Sequence, residues 1–170
     1  MKKELTFARD ILENTAPLGG FDCGALCYAI CCKGDSDTGM WLFPGEEEYY
    51  SDKDGFEIKQ TEGNFGYPML VCGGKCSRKD RPLACRIYPF FPLLKKENGK
   101  IKVRPIRDIR GMNSCSILKN NKKPDRKFIR AMRLAARSLA RDEELFDYLK
   151  NLGDEIQEIA ELRYKLNTDK

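Results

Sequence analysis

The 170-residue chain contains no histidine. That absence removes the commonest acid–base group near neutral pH and the commonest nitrogen ligand for transition metals. Long apolar runs are also missing: none approaches the ~20 residues a helix needs to cross a bilayer. No membrane partner is therefore expected. The opening segment is basic at Lys2 and Lys3, but Glu4, Arg9, Asp10 and Glu13 interrupt any apolar stretch of the kind that marks a secretory leader. These features predict a cytoplasmic protein with reduced thiols, in which disulfides do not account for cysteines.

Cysteine is abundant: eight residues, four of them within ten positions. With 41% apolar and 34% charged residues, the composition is that of a folded chain with a modest core and a strongly solvated surface. The net charge of +5 is unevenly spread. Residues 1–94 carry 11 basic and 14 acidic side chains, residues 95–141 carry 16 and 3, and residues 142–170 carry 4 and 9. Arg126, Arg130, Arg133, Arg137 and Arg141 recur on one helical face. We read this stripe as solvated or covered by the acidic segment Asp142–Glu161. A nucleic-acid backbone is the alternative partner and is not favoured, because no aromatic side chains interleave with the cations.

Periodicity predicts a helix over residues 4–15, on Leu5, Ala8, Ile11 and Leu12, ended by Pro17, Gly19 and Gly20. Met40–Pro44 reads as extended and Glu46–Tyr50 as one helical turn. Residues 55–59 and 67–72 read as strands joined through Gly63, Asn64 and Gly66. Residues 72–94, rich in Gly, Pro and Cys, read as irregular. Lys100–Val103 reads as a strand after an Asn98–Gly99 turn. From Pro124 onward the pattern is helical. Phe128, Met132, Ala135 and Leu139 form one stripe, a short helix follows Asp142, Gly153 breaks it, and another runs through Ile156, Ile159, Ala160 and Leu166. The expected fold is α+β, one domain over residues 1–170. A small, irregular, metal-stabilised cysteine-rich part with a short β-hairpin (20–116) packs against C-terminal helices (117–170).

Cys23, Cys27 and Cys31 are each four apart, Cys32 follows directly, Cys72 and Cys76 are again four apart, and Cys85 and Cys115 stand alone. Four-residue spacing puts thiols one helical turn apart, roughly 6 Å between Cα atoms. In an unbroken helix Cys23 and Cys31 would lie about 12 Å apart, too far to share one zinc with Zn–S bonds near ~2.3 Å. Either the helix breaks or the two serve different sites. Neighbouring Cys31 and Cys32 point in different directions and suit two ligand sets. Eight cysteines divide into two four-thiolate sites, or into one site plus buried or redox-active thiols. The ligand candidates are thus Cys23, Cys27, Cys31, Cys32, Cys72, Cys76, Cys85 and Cys115. The cofactor they suit is zinc or an iron–sulfur cluster. Arg81 and Arg86 flank Cys85, where cations favour thiolate and could neighbour an anionic centre.

Two blocks resemble the YkgJ-type cysteine-cluster family, described as zinc- or iron-chelating. The first is Cys23-Gly-Ala-Leu-Cys27-Tyr-Ala-Ile-Cys31-Cys32, similar to the family's C-x-x-C-x-x-C-C run but more widely spaced. The second is Gly74-Lys75-Cys76 followed by Arg81-Pro82-Leu83-Ala84-Cys85-Arg86-Ile87-Tyr88-Pro89-Phe90, similar to its G-x-C…R-P-x-x-C-R-x-Y/F-P. Leu42–Glu47 resembles the intervening L-x-P-x-E segment. The resemblance implies a metal-binding protein. Through a distant relation to flagellin lysine N-methylases it also leaves open a metal-dependent enzyme, redox or methylating, although no methyl-donor motif is present. The third alternative is a nucleic-acid adaptor using residues 95–141. No catalytic residue is assigned.

Overall fold

The computed structural model describes residues 1–20, 22–33, 38–61, 66–74 and 76–168, with side chains through Leu166. The fold is α+β, with five α-helices and two small antiparallel sheets among the described residues. Helix α1, Lys3–Glu13, buries Leu5, Ala8 and Leu12 on one face, as its periodicity predicts. Strands β1 (Met40–Trp41), β2 (Phe56–Lys59) and β3 (Met69–Cys72) form a sheet in the order β1-β3-β2. Register pairs Met40 with Leu70 and Phe56 with Cys72. The expected turn residues Gly63 and Asn64 lie outside the described residues.

The stretch expected to be irregular is so only in its first part, where residues 73–74 and 76–82 carry no helix or strand. Residues 83–87 form a short helix, α2, and β4 begins at Phe90 and runs to Glu97. It pairs with β5, Lys100–Arg107, which extends four residues beyond the expected strand. Pro92 and Pro105 face each other in this register, a position whose N–H groups a two-stranded ribbon can spare. Asn98 and Gly99 both have positive φ, 51° and 73°, the conformation of the two-residue turn that matches strand twist.

Helix α3 spans Ser116–Lys119 and α4 spans Arg126–Leu139. Asp125 caps α4, accepting from Lys127 N at 2.8 Å and Phe128 N at 3.1 Å. Helix α5 runs unbroken from Glu143 to Thr168, so the expected interruption at Gly153 does not occur. A Cβ there would approach Leu93 Cδ1 at 2.8 Å. Gly153 lets β4 press against the helix rather than ending it. One apolar core draws on α1, α2, β4, β5, α4 and α5, with Phe128, Met132, Leu145 and Leu149 fully enclosed. Among the described residues no helix is long and apolar enough to cross a membrane.

Candidate metal centre

The cysteine run does not form one helix. Cys23–Leu26 and Ile30–Cys32 are separate 3-10 turns. Between them Tyr28 and Ala29 both have φ of 52°, a conformation that strains residues carrying a Cβ. The reversal is held by Ala29 N donating to the Gly24 carbonyl at 2.8 Å and Cys32 N to the Ala29 carbonyl at 2.7 Å. Asp22 starts the first turn by accepting from Gly24 N at 3.1 Å. The first of the two sequence alternatives, a break between Cys23 and Cys31, is therefore the one realised.

The other thiols come from distant elements. Cys72 ends β3, Cys76 follows Gly74, Cys85 lies in α2, and Cys115 precedes α3. A Cβ on Gly74, whose φ is 71°, would overlap the Cys32 carbonyl oxygen. Glycine is required at this contact, where the second cysteine block meets the first. All eight thiols are free; Cys115 is buried, Cys31 exposed, and the rest half-buried.

Two adjoining cavities collect them. The larger, about 280 Å³, is walled by Cys23, Cys31, Cys32, Cys72, Cys76 and Cys85, together with Arg81. The smaller, about 10 Å³, is walled by Cys23, Cys27, Cys31 and Cys115. Tyr88 borders both. Among the described residues, no three Cys, Asp or Glu side chains already converge closely enough to coordinate an ion.

The electrostatics reflect thiols crowded together. Cys31 donates its S–H to Cys32, which lowers Cys32 to about 6 against the cost of burial, with Arg81 assisting. The same bond, with burial, pushes Cys31 up. Burial, then Asp22, Cys115 and Cys27, raises Cys23 to about 11. Cys85 as a residue is half-buried, but its sulfur lies deep, and desolvation followed by Cys32, Cys76 and Cys72 raises it well above the usual thiol range. Cys76 rises for the same reasons, burial first and Cys72 next. A cation among these sulfurs would reverse each repulsion.

The two arginines separate. Arg81 lines the larger cavity and joins the blocks by donating Nη2 to Asp22 Oδ2 at 2.9 Å. Its Nε is buried with no hydrogen-bond partner among the described residues. Arg86 instead donates to backbone carbonyls: Arg81 at 3.0 Å, Arg9 at 2.7 Å and Lys79 at 2.7 Å. It fixes the 79–81 backbone between Cys76 and Cys85.

Glu46 is the residue sequence reasoning placed least well. It reads as a dipole-favoured acid in a helical turn, yet it is fully buried. It accepts from Arg9 Nη1 at 2.5 Å, Leu83 N at 2.8 Å and Phe43 N at 3.3 Å. It thereby suspends α2, and with it Cys85, from α1. Its place in the Leu42–Glu47 segment was the available signal. Arg9, Tyr50 and Asp22 carried none.

The basic stripe is solvated. Arg126, Arg130, Arg133, Arg137 and Arg141 are all exposed, and among the described residues none is in an ion pair with the acidic segment. Asp142 instead pairs with Lys2 at 2.8 Å.

Comparison of the chain with family models, with curated proteins and with solved structures finds no match.

Proposed function

We propose that this is a metal-binding protein of the cysteine-cluster type, in which thiolates from both blocks and Cys115 hold zinc or an iron–sulfur cluster. The observation that supports it is the gathering of eight free cysteines, from positions 23 to 115, around two adjoining cavities. Such a convergence of soft donors in a chain without histidine or disulfides suits soft or borderline metals. Arg81 adds support, because a cation on the wall of the larger cavity matches the net negative charge of a metal–thiolate centre. The similarity to the YkgJ-type family rests on the two motif blocks alone and points the same way.

Metal binding draws the sulfurs inward, each thiol releasing its proton to solvent as its bond to the metal forms. A reducing, cytoplasmic setting keeps the ligands available.

The test is metal analysis of protein purified without oxygen or chelators. At least one equivalent of zinc plus iron per chain is expected; less than about a tenth of an equivalent, with no uptake of added zinc or iron, rejects the proposal. Absorbance near ~400 nm, characteristic of sulfide-to-iron charge transfer in such clusters, selects iron–sulfur over zinc.

A further inference from the structure

We propose that the eight thiols form two separate centres: a small one on Cys23, Cys27, Cys31 and Cys115, and a roomier one on Cys32, Cys72, Cys76 and Cys85. This rests on the metal-binding reading above and deepens it by assigning ligands.

The smaller cavity is walled by four cysteines, and they are Cys23, Cys27, Cys31 and Cys115. Each of the remaining four walls the larger cavity. The partition thus leaves no thiol over and gives each centre the four donors that tetrahedral zinc or a cluster takes. Cys31 and Cys32, whose thiols touch, meet at the boundary of the two: Cys31 walls both cavities and Cys32 only the larger. The contact of Gly74 with the Cys32 carbonyl brings the 72–76 loop to Cys32. Cys32, Cys76 and Cys72 surround Cys85, and Cys115 and Cys27 flank Cys23, with Cys31 and Cys32 facing each other where the two groups meet.

The two centres differ in room. The smaller cavity, about 10 Å³, is close to the space of a single water-sized sphere. It leaves room for one ion at most, between the 3-10 turns and the start of α3, where Cys115 is buried. The larger, about 280 Å³, leaves space beyond one ion. Arg81 lies on its wall, a cation suited to an anionic centre. Cys23, Cys31 and Tyr88 border both spaces, so the centres are neighbours.

The experiment uses the full chain purified anaerobically, with metal per chain counted and extraction by EDTA followed in time. The wild type should release metal in two phases. Cys72→Ser and Cys76→Ser should both lose one and the same phase and keep the other. Cys115→Ser and Cys27→Ser should do the reverse; Cys27, half-buried, asks the question without opening the core. Release in a single phase, any one substitution stripping both phases, or both pairs losing the same phase overturns the two-centre assignment. A wild type that holds no metal and takes up no added zinc or iron instead rejects the metal-binding reading itself.

Discussion

Replacing Glu46 by alanine should be among the most damaging single changes in this protein. The carboxylate is fully buried, and the Arg9 side chain beside it is about 5% exposed. Removing one partner of such a pair strands the other, typically about 3–5 kcal/mol. Leu83 N and Phe43 N also lose their acceptor, and each orphaned buried donor costs about 1–3 kcal/mol. Partial compensation exists. Arg9 keeps Tyr50 Oη at 3.1 Å, the Lys79 carbonyl at 3.2 Å and the face of Tyr49 at 4.1 Å. The expected loss is therefore about 4 kcal/mol, a large share of the ~5–15 kcal/mol that stabilises a typical domain. Glu46→Gln keeps one acceptor for Leu83 N but turns an amide N–H₂ toward another donor and removes the charge partner, so about half that loss is expected. Urea unfolding measures both, through a lower midpoint at unchanged slope. A loss below about 1 kcal/mol for Glu46→Ala would refute the claim that this carboxylate suspends α2 from α1.

Further outcomes follow from the same geometry. Gly74→Ala, at φ 71° and against the Cys32 carbonyl, should separate the cysteine blocks and at least halve bound metal, read by elemental analysis; full retention would contradict the contact. Gly153→Ala gains about 1 kcal/mol in helix propensity but presses a methyl against Leu93, where overpacking costs about 1–3 kcal/mol, so thermal denaturation should show a net loss. Asp125→Ala should destabilise by about 1 kcal/mol through the lost α4 cap, read as a lower urea midpoint. Asp80 is held at about 2 by Lys53, Ser77 and Tyr49, below its ordinary carboxyl value. Its stabilisation is present above about pH 4 and lost as pH falls toward 2, so the gap between wild type and Asp80→Asn in urea midpoint should close over that window. Being partly exposed, it contributes at most about 1 kcal/mol.

The helices whose apolar stripes repeat cleanly, α1 and α4, were legible because a 3.6-residue period and a terminal Asp or Pro–Gly signal are local facts. The continuity of α5 was not. A glycine reads as a break until Leu93, sixty residues away in sequence, is known to need its missing side chain. The same limit applies to residues 83–97, where Pro92 is harmless because its register position, opposite Pro105, spares its N–H. At the site, spacing alone shows that Cys23 and Cys31 cannot share an ion in one helix, but it does not show that Tyr28 and Ala29 reverse the chain between them. Nor does it bring Cys115 beside Cys23 and Cys27, because that closeness comes from packing of α3 against the first cysteine turn. Glu46 was legible as part of a motif but not as a buried anchor, since its partner Arg9 belongs to α1 and nothing in that helix's pattern marks it.

The most direct test is the mass of the intact chain under native conditions, isolated anaerobically and sprayed without chelator. A species heavier than the 19.5 kDa polypeptide by bound metal, less the protons displaced from its thiols, and returning to the polypeptide mass on acidification, is expected. A single species at the bare polypeptide mass, unchanged after incubation with zinc or with iron and sulfide, would contradict the account.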